Sequence, residues 1–401
     1  MSTPTSTISN EDLYNEVTAW LADNWDNSIN IPGVWDTPST EYKQWLRKVL
    51  DARWAVGSWP EQWFGRGLDK KQCKIIEKAF RAVGAPGAGQ DRLHLAANTL
   101  LTHGTEALKQ ELIAKLLCAE AKICLLYSEP GAGSDLAAVR TRADRDGDNW
   151  LVTGQKVWTS GATKADYGLL LARTDWDQPK HKGISFFYIP MKQAGVEVRP
   201  LRQITDEAHF NEVFLDKAVV SNDNLLGNLN DGWKVLQTAL AYERSIMGEG
   251  AAERKAAAAA EKTLIDIARE HGQLGDPLIR QDIAKVMAYR KLNDLNMARA
   301  KANAAQGGSA SIMSLGKLAM SRILHEEGRM RTTIMGAQSM LDGSDYPEAH
   351  EANFRSFNAY MNSIGGGTDQ IQRNIISERV LGLPREQEVD RNIPFREVKS
   401  G

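Results

Sequence analysis

The chain has 401 residues, 42 % of them hydrophobic and 25 % charged, enough for two or three domains around a substantial core that needs no disulfides to fold. Its 49 basic and 51 acidic residues leave a net charge of −2, which excludes the overall cationic surplus of a nucleic-acid binder and leaves only local basic clusters open. Cys73, Cys118 and Cys124 are odd in number and lack C-x-x-C or Cys/His spacing, so they read as reduced thiols of a cytosolic protein and imply no metal site.

In chain order, Met1 to Asn10 is Ser/Thr-rich and is followed by Glu11, Asp12 and Glu16. It shows neither the basic and apolar regions of a signal peptide nor an Arg-rich transit pattern, so a bacterial-type cytoplasmic enzyme is expected. From Asp12 to about Leu117 apolar residues recur at helical spacing, as in Leu13, Val17, Trp20, Leu21 and in Tyr42, Trp45, Leu46, Val49, Leu50, which predicts an N-terminal helical domain over 1–118. The most apolar stretch, Ile113 to Leu126, is broken by Lys115, Glu120 and Lys122, so no membrane span is predicted.

Between 119 and 229 the texture changes to short apolar or alternating runs: Trp150 to Gly154, Tyr167 to Ala172, Ile184 to Ile189 and Val213 to Leu215, with turn residues such as Asp146-Gly147-Asp148 between them. That pattern predicts a small antiparallel β domain. After Asp231-Gly232-Trp233 helical periodicity returns, with an alanine-rich segment from Ala251 to Ala260 and amphipathic runs through Ala284 to Ala305 and Ala310 to Arg329. A C-terminal helical bundle over 230–401 follows, and the class is α+β.

Three segments carry the candidate chemistry. In Tyr127-Ser128-Glu129-Pro130-Gly131-Ala132-Gly133-Ser134-Asp135 the small residues leave a bare backbone beside two hydroxyls, a surface on which an aromatic ring with polar edges could lie; a Pro-Gly-Ala-Gly run alone is usually only a turn. Gly154-Gln155-Lys156-Val157-Trp158-Thr159-Ser160 holds one of 11 tryptophans, and a strand tryptophan is more often core than ligand contact. Ile364-Gly365-Gly366-Gly367-Thr368-Asp369-Gln370 has glycines followed by polar residues.

Together these segments resemble the acyl-CoA dehydrogenase family across nearly the whole chain. Trp59 to Gly67 and Thr102 to Glu106 are similar to turns of that family's N-terminal domain, as weaker signals. The resemblance implies FAD lying against the β domain, with Tyr127, Ser128, Gly133, Ser134, Trp158 and Ser160 as cofactor-binding residues, joined by Thr368 and Gln370, and with Gln372-Arg373 continuing the motif. Ser134 is also expected near the acyl-CoA thioester arm, and Arg244 and Gly366 complete the substrate-binding set.

In the family's common arrangement a glutamate stands immediately before the Gly-Thr near the C-terminus; here that slot is Gly366. A branch that includes the isovaleryl-CoA and long-chain enzymes carries its base on an earlier helix in an x-x-Glu-Arg element, which Tyr242-Glu243-Arg244 resembles. Glu243 is therefore the expected catalytic base, in an apolar setting from Leu240 and Met247 that would raise its pKa. The plain alternative is a helical glutamate paired with Arg244 or another base on a solvated face. At Gly366 the resemblance implies a backbone N–H holding the thioester carbonyl, which acidifies the α-proton, and the glycines leave room for the acyl group.

One region departs from the pattern. Where simple homotetramers of the family carry Arg-x-x-Phe-Gly and a later glutamine to clamp a neighbour's FAD, this chain has His271-Gly272-Gln273-Leu274-Gly275 and Asp282, and Gly336-Ala337-Gln338-Ser339 replaces a Gly-Gly-Asn-Gly turn. The departure is similar to the bacterial branch in which two related subunits form a heterotetramer acting on bulky, ring-bearing acyl groups. The expected reaction is α,β-dehydrogenation of an acyl-CoA to a trans-2-enoyl-CoA, with electrons passed to an electron-transfer flavoprotein, in a homotetramer or a heterotetramer with a related subunit. The alternatives are a flavin monooxygenase or oxidase of the same fold, or a non-catalytic partner subunit.

Overall fold

The computed structural model describes residues 8–33, 36–249, 262–306 and 314–399. The chain divides into two compact units: Met1–Leu201 with Ala208–Ala252 and Asp390–Gly401, and Arg202–Glu207 with Glu253–Val389.

The first unit opens with helices whose ends are written in the sequence. Ser9 caps α1 (Asn10–Asn24), Ser39 caps α2 (Thr40–Asp51), and Asp69 with Gln72 forms a capping box on α3 (Lys70–Ala82), each satisfying amides that the first helical turn leaves without partners. Helices α4 (Gln90–Leu93), α5 (Leu95–His103) and α6 (Glu106–Leu117) follow. Their apolar stripes meet around an aromatic cluster in which the Trp25 and Trp45 rings lie 4.6 Å apart and Trp20 and Trp45 5.6 Å apart.

The sheet has eight strands: β1 (Ile123–Leu126), β2 (Arg142–Asp146), β3 (Asn149–Ser160), β4 (Tyr167–Arg173), β5 (Ile184–Pro190), β6 (Val196–Leu201), β7 (Phe210–Ser221) and β8 (Leu225–Leu226). Their order is β6-β7-β3-β2-β4-β5-β8, with β1 also paired to β4. The expected antiparallel sheet needs one correction, because β1 runs parallel to β4 and a single bridge joins Arg142 to Arg173 in parallel sense. Reciprocal bonds set the two strands: the Lys122 amide donates to the Asp166 carboxylate at 2.9 Å, and the Asp166 amide donates to the Lys122 carbonyl at 2.8 Å, so β1 and β4 start side by side. One edge of β4 is thus shared, by β1 along Tyr167–Leu170 and by β2 at Arg173. Between those two partners the chain leaves the sheet as the 127–141 loop.

Strand period two decides the packing. Leu169, Leu171, Phe186 and Tyr188 face the core made with the N-terminal helices, and Leu170, Ala172, Phe187 and Ile189 face a second core on the other side of the sheet. Helix α7 (Gly232–Glu249) adds Val235 and Leu236 to the first core. Cys73, Cys118 and Cys124 are free and buried, and burial pushes each thiol up to about 12.

The second unit contains α8 (Leu264–Glu270), α9 (Pro277–Ala305), α10 (Ser314–Met335), α11 (Pro347–Ile364) and α12 (Asp369–Arg379). Helix α10 packs against α9, α11 and α12. The alanine-rich run from Ala251 to Ala260 and the start of the run from Ala310 lie outside the described residues. Among the described residues no helix is long and apolar enough to cross a membrane.

A buried ion pair fixes the loop to the sheet. The Lys156 ammonium, fully buried in β3, donates to Glu129 Oε1 at 2.8 Å, to the Tyr127 carbonyl at 3.1 Å and to the Leu171 carbonyl at 2.7 Å. Glu129 in turn accepts the Arg140 amide at 2.7 Å and the Thr141 amide at 2.9 Å. Burial works to raise the Glu129 carboxyl, but the Lys156 charge and these donors outweigh it and hold the group below its ordinary value; burial pulls the Lys156 ammonium down. Because the folded value of Glu129 is depressed, its contribution to stability is present above the ordinary value of 4.5 and is lost as pH falls through the lower folded value. Glu129→Gln leaves the buried ammonium without its counter-charge, so it should destabilise the chain at pH 7 by about 3–5 kcal/mol and flatten the acid limb of stability against pH. Urea unfolding of both proteins between pH 3 and 7 checks this, and equal stability at pH 7 would remove the pair from the determinants of the fold.

Candidate active site

The 127–141 loop begins with a tight turn, in which the Glu129 amide donates to the Ala132 carbonyl at 2.9 Å and the Ala132 amide returns to Glu129 at 3.0 Å. The Val157 amide donates to the Ser128 carbonyl at 3.0 Å and ties the turn to β3. A Cβ added at Gly131 or Gly133 would meet nothing within 4 Å, so packing does not demand glycine there and the effect is to leave main chain bare. Ser134 beside them is exposed and Ser128 is partly buried.

Beside this loop β3 carries a bulge. Its register with β7 shifts between Lys156 and Thr159, and Trp158 sits there at φ +60° with 58 % of its surface exposed. The indole stands edge-on to the Phe210 ring at 5.9 Å. A bulky residue in the left-handed region carries backbone strain, and a bulge re-aims its side chain, so Trp158 is a displayed flat surface and not a core residue. Ser160 is exposed at the end of β3, paired with Phe210 on β7.

Tyr127 contributes its carbonyl to Lys156 and sends its ring inward, 5.7 Å from Phe186. The phenol oxygen is buried without a hydrogen-bonding partner, and burial pushes its pKa well up, the negative charge of Glu243 adding to the effect. A buried polar atom without a partner is unusual enough to need a reason. Glu243 lies on α7, where Val235, Leu236 and Ala239 are buried; four residues beyond Ala239, it continues the same face and is itself partly buried. Leu240 is partly buried and packs against the core. The side chains of Arg244 and Met247 lie outside the described residues.

In the second unit, Gly366 and Gly367 turn the chain from α11 to α12 at φ +64° and +90°, a path that favours glycine. Thr368 caps α12 by accepting the Ile371 amide at 3.2 Å, and Asp369 accepts from Ser321 at 2.7 Å and pairs with Lys317 at 3.3 Å. The Gly365–Gly367 main chain and Gln370 are exposed. The residues that depart from the clamp pattern have partners within their own unit: His271 meets Glu348 at 3.3 Å, and Asp282 pairs with Arg329 at 2.9 Å.

Sequence reasoning placed these motifs on a turn, a strand and a helix and gave the glycine run at 365–367 no element, and it missed the Glu129–Lys156 pair inside them. The signal was present, since both charges stand in otherwise apolar or small-residue segments. Chemically, the first unit offers a carboxylate on an apolar helix face near an unsatisfied phenol, and a bare loop flanked by an indole and hydroxyls. Among the described residues no group of three or more His, Cys, Asp and Glu could hold a metal ion.

Comparison with known proteins gives this arrangement a lineage. Residues 124–218 match the acyl-CoA dehydrogenase middle domain and 230–381 the acyl-CoA dehydrogenase C-terminal domain. The chain is 34 % identical over 389 residues to acyl-CoA dehydrogenase IpdE1 of Mycobacterium tuberculosis, covering 94 % of this chain and 98 % of that one. It is similar to the solved Tcur3481-Tcur3483 steroid ACAD, at TM-score 0.69 and 25 % identity over 94 % of this chain and 98 % of that chain. It shares the fold of a chain in the ChsE4-ChsE5 complex from Mycobacterium tuberculosis, at TM-score 0.64 and 23 % identity over 96 % of this chain and 100 % of that chain. With a relative at that identity along almost its full length, the chain belongs to the acyl-CoA dehydrogenase family.

Proposed function

We propose that this acyl-CoA dehydrogenase uses FAD to convert a bulky acyl-CoA, of the steroid side-chain kind, into its trans-2-enoyl-CoA in the cytoplasm, with electrons leaving to an electron-transfer flavoprotein. The observation that carries the reading is Glu243, a carboxylate on the core-facing side of α7 with Tyr127 near enough to feel its charge. The residues of the first unit fit a flavin: bare main chain at Gly131 and Gly133, an exposed indole at Trp158, and hydroxyls at Ser128, Ser134 and Ser160. The bound FAD would supply the hydride acceptor.

In this reading Glu243 takes the α-proton of the thioester, and its apolar surroundings keep water from competing for the carboxylate. Ser134 and Arg244 orient the acyl-CoA. The Gly366 amide donates to the thioester carbonyl and stabilises the negative oxygen that forms as the proton leaves. Thr368 and Gln370 are assigned to the cofactor.

A related subunit is part of the proposal. The solved relative at 25 % identity is the Tcur3481-Tcur3483 steroid ACAD, named for two components, and in this chain His271 already meets Glu348 and Asp282 already pairs with Arg329. Phe357, Tyr360, Met361 and Ile364 form an exposed apolar stripe along α11 at i, i+3, i+4 and i+7, a surface a partner would cover.

Two outcomes test the reading. Co-expression with a related subunit should give a yellow protein whose FAD is released by denaturation, and a colourless product both alone and co-expressed would sink the flavoenzyme assignment. Glu243→Gln should retain FAD and bind acyl-CoA while its anaerobic flavin reduction slows by about 10²–10⁴-fold, the usual contribution of a positioned base. If the variant bleaches at the normal rate with a good substrate, the base lies elsewhere.

A further inference from the structure

The C-terminal tail returns to the first unit and closes over the far side of the 127–141 loop. Arg173, at the end of β4, is 0 % exposed, and its partners are main-chain carbonyls: Ala137 at 2.7 Å, Val139 at 3.1 Å and Lys180 at 3.2 Å. Burial brings the guanidinium down to about 10. The ring of Phe395, also 0 % exposed, covers it with its centroid 3.4 Å from the guanidinium carbon, and the Trp176 ring flanks Phe395 at 5.4 Å. An aromatic face offers such a desolvated cation an attraction that a solvated one would scarcely feel.

The tail is fastened at further points. The Phe395 amide donates to the Gln178 carbonyl and the Arg396 amide to the Trp176 carbonyl, each at 3.0 Å; Arg140 donates to the Val398 carbonyl at 3.2 Å; and Arg396 pairs with Asp177. At the tail's start Asp390 lies 3.5 Å from the buried ammonium of Lys180, which also pairs with Asp135 at 3.0 Å. Asp135 is the neighbour of Ser134, and Ala137 and Val139 are the loop's way out. The loop is therefore held on one side by Glu129 and Lys156 and on the other by groups that residues 390–398 cover.

We infer that the segment Asp390–Val398 is a positioning strap for the Ser128–Asp135 loop, Phe395 capping the guanidinium that holds the loop's exit and Asp390 sharing Lys180 with Asp135. This rests on the reading that the loop receives FAD and the thioester arm. Phe395 and Asp390 are assigned no contact with either ligand and act through Arg173 and Lys180. Loop order and tail docking are then one linked equilibrium, so undocking the tail weakens ligand binding without removing a ligand contact.

The test uses full-length protein, co-expressed with the related subunit where FAD loading needs it, as wild type, Phe395→Ala, Phe395→Leu and Asp390→Asn. Amide hydrogen exchange is read by segment, the FAD dissociation constant by fluorescence, and KM and kcat with one good acyl-CoA. In Phe395→Ala, exchange should quicken in 134–141 and 174–183 while 10–24 and 106–117 keep their protection. The FAD dissociation constant and KM should rise about 5- to 150-fold, the usual range of coupling between linked sites, with kcat at saturation unchanged. Phe395→Leu, which restores apolar cover without a π face, should recover part of the loss. A fall in melting temperature with loop exchange, FAD affinity and KM at wild-type values would reduce the tail to general stability and overturn the inference. So would a loosened loop with unaltered FAD affinity and KM. If Phe395→Ala does not fold, Asp390→Asn, at a partly exposed position, is judged by the same readouts with a smaller change. If wild type takes up no FAD under any condition, the functional reading fails on its own, and loosening of 134–141 alone then decides for or against the strap.

Discussion

Lys156 carries an ammonium group from the middle of β3 into a space where it meets the end of β1 through the Tyr127 carbonyl, β4 through the Leu171 carbonyl, and the loop through Glu129. Three separate stretches of chain, residues 127–129, β3 and β4, meet at one nitrogen. Glu129 extends the network to the amides that open β2. A buried ion pair is weak evidence for net stability, because well-packed apolar residues of similar size often do as well or better. Its value here is directional: only one placement of the loop satisfies every donor and acceptor, whereas an apolar plug would tolerate several. The bare glycine turn can therefore be both exposed and ordered.

One strained residue lies two positions along β3 from Lys156. Trp158 holds a left-handed conformation that costs about 1–3 kcal/mol in a residue with a side chain, and its reward is an indole turned away from a sheet that would otherwise have absorbed it. The Gly366-Gly367 turn takes the same backbone region without penalty, since glycine has no Cβ to clash. Displaying a large ring required strain, whereas displaying amides required only the absence of side chains.

Much of this was legible in the sequence. The helical stripes of the N-terminal region and the apolar runs of β3, β4 and β5 are local patterns that the structure keeps, whereas the caps at Ser9, Ser39 and Asp69, equally local, went unread. The sequence reading set Glu243 between Leu240 and Met247; the burial of Ala239, four residues before it, comes from the structure. What could not be read depends on residues far apart in the chain. The parallel pairing of β1 with β4 turns on reciprocal bonds between Lys122 and Asp166. The inward turn of Tyr127 depends on Phe186, and the burial of Arg173 on Phe395, more than two hundred residues later. Trp158 could be taken out of the core only through the resemblance, since the bulge that exposes it is a mismatch between two strands and leaves no local mark. The strands β1, β2, β6 and β8 also went unread, although β6 alternates Val196-Glu197-Val198-Arg199 as a half-buried strand does.

The three cysteines carry a practical consequence. Each sits in a different seam, Cys73 among the N-terminal helices, Cys118 at the end of α6 and Cys124 where β1 meets β4. With thiols pushed up to about 12, hardly any thiolate is present at neutral pH to meet an alkylating reagent. Native protein should thus be nearly silent to such a reagent until a seam parts, and the labelling rate at each position becomes a clock for that opening alone. The chain carries three built-in reporters of local unfolding, spaced through its helical core and its sheet, that need no engineered probe.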